Sequence, residues 1–116
     1  MIPKSKFPTY NDGVLYVCEN VAGQLGFSST KNARSRGDLR TLLKLDYKEM
    51  SRRDEDMDFA ESHGRTLTMK VRCRYHPDVT TKLCVVIGDV LYSIFKTDHD
   101  AGWRNLFLFL EEERKL

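Results

Sequence analysis

The sequence predicts a mainly β protein: a small antiparallel barrel of about six strands with one short helix inserted between two of them. Three observations predict it. Thr66 to Tyr75 alternates without a fault, with Leu67, Met69, Val71, Cys73 and Tyr75 against Thr66, Thr68, Lys70, Arg72 and Arg74. Successive side chains of a strand point to opposite faces, so this segment has one dry face and one wet, basic face. Lys82 to Ile87 and Val90 to Thr97 flank Gly88-Asp89, a pair that meets the positive-φ demand of a two-residue hairpin turn. Trp103 to Glu111 sets Trp103, Phe107 and Phe109 on one face and Leu106, Leu108 and Leu110 on the other. A strand apolar on both faces is buried on both sides or lies at a subunit contact.

The other elements follow in order. Pro3, Pro8 and the turn Asn11-Asp12-Gly13 make residues 1–12 an irregular arm. Val14 to Cys18 is a short strand. Residues 19–37 form a long glycine-punctuated polar loop, a length that tends to be functional or disordered. Asp38 to Tyr47 is a strand, with Leu39, Thr41, Leu43, Leu45 and Tyr47 in register and an irregularity at Leu42. Ser51 is expected to cap a helix over about 52–63, with Asp54 reaching back and Gly64 ending it. Met57, Ala60 and Phe59 give that helix a thin apolar stripe and leave its acidic face wet. His76-Pro77-Asp78 and Asp98 to Gly102 are turns, and the tail 111–116 is expected to be solvated. Closure into a barrel is favoured because it removes exposed edges.

At 116 residues the chain is one domain, 1–116, able to bury roughly two-thirds of its unfolded surface. A net charge of +2 is too small to imply a bulk polyanion partner. No apolar run approaches the roughly 18 residues of a membrane span, and the N-terminus lacks the apolar core of a signal peptide. Cys18, Cys73 and Cys84 are read as reduced core thiols of a cytoplasmically made protein.

No catalytic, cofactor or metal constellation emerges. Cys73, His76, Cys84 and His99 lack the paired spacing of a zinc site, and a Cys–His nucleophile would have no orienting acid. The carboxylates of Asp54, Glu55, Asp56, Asp58 and Glu61 spread around a helical cylinder rather than converging on one ion. Asp98-His99-Asp100 reads as turn chemistry. The basic residues are more suggestive. Residues 31–53 hold eight Lys or Arg against three acids, and Lys70, Arg72 and Arg74 join them from the alternating strand. Clustered cations suit phosphate, yet single-strand binders also need aromatics on the open face. Opposite-sign surfaces on one subunit suit head-to-tail contacts in a ring, a reading level with plain solvation and well ahead of sequence-specific nucleic-acid binding.

Met-Ile-Pro-Lys-Ser-Lys-Phe at residues 1–7, the run Tyr47-Lys-Glu-Met-Ser-Arg-Arg-Asp-Glu-Asp-Met-Asp-Phe-Ala-Glu-Ser-His-Gly64 and the strand from Thr66 resemble the head closure proteins of long-tailed bacteriophages. These are also called head–tail connector or stopper proteins. The hairpin Cys84 to Asp98 and the strand Leu106 to Leu110 are similar to that family's C-terminal pattern. The most specific part is Tyr-x-Glu-Met-Ser-x-Arg-x-x-Asp, and the 19–37 loop has no counterpart pattern.

The resemblance implies a non-enzymatic virion protein without cofactor, made in the host cytoplasm. Such a protein forms a homo-oligomeric ring beneath the portal and adaptor after DNA packaging, closes the channel and presents a surface to the tail. It also implies packaged DNA nearby without sequence-specific binding. On this expectation Lys31, Arg34 and Arg36 lie in a loop close to the channel, and Asp54, Glu55, Asp58 and Trp103 meet a neighbour or the adaptor. The alternatives are an OB-like module that binds single-stranded nucleic acid, a tail completion protein and, third, a small hydrolase.

Overall fold

A computed structural model describes residues 10–21 and 36–116. Its strands are β1 (Gly13–Asn20), β2 (Leu39–Met50), β3 (Met69–Arg74), β4 (Cys84–Ile87), β5 (Val90–His99) and β6 (Asn105–Lys115), with one helix, α1 (Asp54–Ser62), between β2 and β3. They form a closed antiparallel barrel in the order β1-β2-β3-β6-β5-β4, and β4 returns to β1. The described residues therefore build a mainly β barrel with one inserted helix.

The alternation read from the sequence sets the wall. Leu15, Val17, Tyr47, Val71, Cys73, Val85, Tyr92, Ile94, Leu106, Leu108 and Leu110 turn inward and form one buried cluster. Removing these side chains from water is the main favourable contribution, at roughly 25 cal/mol per Å² of apolar surface. Outward residues of β2, among them Lys44, Asp46 and Lys48, are exposed, as an antiparallel wall with one solvated face requires.

The irregularity expected at Leu42 is a bulge. Val17 pairs with Leu43 and Cys18 with Thr41, so Leu42 has no partner on β1 and is 41% exposed. A second bulge leaves Phe95 as the extra residue, because Ile94 pairs with Leu110 and Lys96 with Phe109. Bulges of this kind bend a strand and help a sheet of six strands to close. The Gly88-Asp89 turn joins β4 to β5 as expected, with Gly88 at φ 62°, a conformation that glycine adopts without steric penalty.

Several expectations need correction. The helix begins at Asp54, not Arg52, and its N-cap is Arg53 rather than Ser51; the Arg53 N–H donates to the Asp56 carboxylate at 3.2 Å. Asp56, not Asp54, therefore reaches back. Lys70 is not on a wet face: α1 covers it and leaves it 8% exposed. The segment 111–115 is not a solvated tail but the end of β6, paired to β5 as far as Val90 with Lys115. Trp103 precedes β6 instead of lying on it, and His99 belongs to β5 rather than to the following turn.

Candidate interaction surfaces

α1 lies against the outer face of β3, β6 and β5. Ala60, Leu67 and Phe109 form a buried cluster there, with Phe95 and Phe107 packed against it. The two apolar faces of β6 thus have two different covers: the barrel core takes its leucines and the helix takes Phe109, which is only 2% exposed. The helix is also fixed by charge. Lys70 Nζ donates to Asp56 Oδ2 at 3.0 Å, with both side chains only 10% exposed. Burial alone would raise the Asp56 pKa, but the hydrogen bonds from Lys70 and the Arg53 N–H, with their charges, outweigh it and hold the carboxyl below its usual range.

Lys70 also sits 5.0 Å from the centroid of Phe109. Lys96 approaches the same ring at 4.7 Å and Phe59 at 4.4 Å. Ammonium groups over aromatic faces at these distances are attracted by the ring quadrupole. Aromatic packing and a buried ion pair therefore seat a nine-residue helix that local propensity alone would leave marginal.

With Asp56 and Ala60 turned inward, Asp54, Glu55 and Asp58 are all exposed. Glu55 meets Arg53 at 3.3 Å in a solvent-exposed pair, while Asp54 and Asp58 face water. The sequence-predicted acidic surface is thus brought together on one mounted helix.

Among the described residues the predicted basic run does not assemble into a track. Lys31 and Arg34 lie outside the described residues, and Arg36 opens the 3-10 turn that leads into β2. Arg40 is paired with Glu19, Arg53 with Glu55, and Arg52 donates to the carbonyls of Leu67 and Thr68. On the exposed face of β2 Asp46 separates Lys44 from Lys48. Lys70 is consumed beneath the helix.

Trp103 stands at one end of the barrel and is 56% exposed. Its ring stacks on His99, with centroids 3.5 Å apart, and meets Tyr75 edge-on at 5.2 Å. Its backbone is held at φ 55°, a conformation bulky residues rarely adopt. Asp100 organises this loop. One carboxylate oxygen accepts the N–H groups of Arg104 at 2.8 Å and Asn105 at 3.2 Å, and the other accepts the Asn105 side-chain amide at 2.8 Å. Those bonds hold the Asp100 carboxyl below its ordinary pKa. The amide of Asn105 is fixed in turn by the Tyr10 hydroxyl at 2.6 Å. Sequence reasoning missed the organising roles of Asp100 and Asp56, although the spacing Asp56–Ala60 on one helical face was a usable signal.

The cysteines occupy two environments. Cys73 is sealed in the barrel core, whereas Cys18 and Cys84 belong to a separate cluster with Val86 and Leu91. No family model matches the chain, and no curated protein matches it.

Proposed function

We propose that this protein is a head closure component of a long-tailed phage virion, joining head to tail below the portal and adaptor. The observation that carries the proposal is the role taken by the run Tyr47-x-Glu-Met-Ser-x-Arg-x-x-Asp56. Its arginine is the N-cap of α1, and its last acid is the buried partner of Lys70. The residues that carry the family resemblance are therefore those that mount an acidic helix on a closed barrel. A closed barrel offers no free edge for strand addition, so contacts must come from mounted side chains and loops.

Asp54, Glu55 and Asp58 are the charged contact surface toward a neighbouring subunit or the adaptor, and Trp103 is an aromatic one. Tryptophan anchors of this sort dominate many interfaces. On this proposal Lys31, Arg34 and Arg36 are the residues that tolerate nearby packaged DNA without reading its sequence. The interrupted charges of β2 argue against the OB-like reading, which needs a continuous basic groove interleaved with aromatics.

The test is electron microscopy of connector particles mixed with the purified protein. The expected result is an added ring of density at the tail-proximal end. The triple variant Asp54→Ala/Glu55→Ala/Asp58→Ala is expected to lose that density at moderate salt while keeping the barrel's circular dichroism. Absence of added density, together with salt-dependent binding of an oligonucleotide by the isolated chain, would reject this reading in favour of the nucleic-acid module.

A further inference from the structure

The seam that closes the barrel is short. β1 and β4 share three residue pairs: Tyr16 with Val86, Val17 with Val85 and Cys18 with Cys84. Two of the three cysteines thus stand directly opposite each other on neighbouring antiparallel strands. Directly opposed residues of such strands have Cα atoms about 4.5–5.5 Å apart, inside the span of about 4.4–6.8 Å that a disulfide bridges. Both side chains point to the same side of the wall, into the cluster with Val86 and Leu91. The Cys84 thiol already donates to the Cys18 carbonyl at 3.3 Å. Cys18, with Tyr16, Leu39, Thr41, Val86 and Gly88, lines an open groove of about 360 Å³, which gives a small reagent a route to its sulfur.

We propose that Cys18 and Cys84 are a latent cross-strand disulfide site that staples the barrel at its seam, closed by a small-molecule disulfide as oxidant. The Cys18 thiolate attacks the reagent and expels one thiolate, leaving a mixed disulfide. Cys84 then loses its proton and attacks the Cys18 sulfur, expelling the second. Two protein thiols become one disulfide while the reagent is reduced to two thiols. Burial and the neighbouring Cys18 push the Cys84 thiol up to about 12, so the second step is slow at neutral pH and quickens as pH rises. Cys73 is excluded because it lies on the opposite side of the wall with no exposed surface. On the virion reading the pair is made reduced and meets oxidants only in the released particle. The site itself depends on the barrel alone.

The experiment treats the native isolated chain with excess oxidised glutathione at alkaline pH, then alkylates remaining thiols after unfolding and maps peptides without reduction. The expected product is one linked peptide joining Cys18 to Cys84, with Cys73 alkylated. Formation is expected to accelerate about tenfold per pH unit from neutrality. The thermal midpoint is expected to rise by on the order of 10 °C and to fall back with dithiothreitol. Full alkylation of all three cysteines, a persistent glutathione adduct at Cys18, a bond that includes Cys73 or joins two copies, or a lowered midpoint would each overturn the assignment. Because the chain is tested alone, such a failure leaves the head closure reading untouched.

Discussion

The outward faces of β2 and β3 both carry lysines, yet water meets one and a helix meets the other. Lys44 and Lys48 on β2 project into solvent, and the strand is buried only on its inner side. Lys70 on β3 occupies the equivalent outward position and is 8% exposed, because α1 supplies Asp56 as its counter-charge and Phe109 of β6 lies beside it. The same local pattern therefore has two energetic meanings, decided by an element that is remote in the strand's own register. On β2 a lysine keeps the wall soluble. On β3 it is the post to which a surface is fastened.

The largest effect that separates the two walls is expected from Phe109→Ala. The ring points away from the barrel core but is buried under α1, so its loss should destabilise the fold by about 3–5 kcal/mol, measured by urea denaturation. A loss below about 1 kcal/mol would mean that the helix is not seated there. Next comes Asp56→Ala, which strands the buried ammonium of Lys70 and should cost about 3 kcal/mol. The double variant Asp56→Leu/Lys70→Met should recover much of that loss, because it removes both charges from the covered wall. A double variant no more stable than Asp56→Ala would show that the charge is not what holds the helix.

Acid titration sharpens the same contrast at smaller amplitude. The Asp56 carboxyl is depressed in the folded state, so its contribution is present above the unfolded carboxylate pKa of about 3.9 and disappears as pH falls through the lower folded value. The stability gap between the native chain and Asp56→Asn should therefore narrow below about pH 4; a gap unchanged by acid would contradict the pairing. The smallest effect belongs to the bare wall. Lys44→Ala and Lys48→Ala should each change stability by no more than about 0.5 kcal/mol. A larger change at either would identify an unrecognised contact on β2.

The sequence was legible where one residue's neighbours in the chain decide its surroundings. The Gly88-Asp89 hairpin, the break at Leu42 and the inward leucines of β6 follow from turn chemistry and a period of two. Legibility ended where distant elements meet. Only the helical face it shares with Ala60 distinguishes Asp56 from Asp54, Glu55 and Asp58, and charge alone hides that, so the acidic face is visible while its one buried member is not. Alternation alone assigns Lys70 to water, because it names a face without naming what covers it. The apolar neighbours of Trp103 place it in β6, but Asp100 captures the amides of Arg104 and Asn105 and holds it in the loop. Glu111 to Lys115 reads as a solvated tail by charge alone and is strand by backbone pairing with β5. Of the surface proposed for function, the acids were readable and their mounting was not.

The three-pair junction of β1 with β4 has a kinetic consequence. It joins positions 66 residues apart in the chain, whereas the β1–β2, β4–β5 and β5–β6 ladders link consecutive strands. Chain-end encounter over such a separation must be met before any reward from the contact, so this step is the natural bottleneck of folding. During synthesis β3 can cover the β2 border of the β1–β2 hairpin, while its β1 border stays unpaired until β4 follows. Until then each nascent molecule offers a borrowed strand a place to dock.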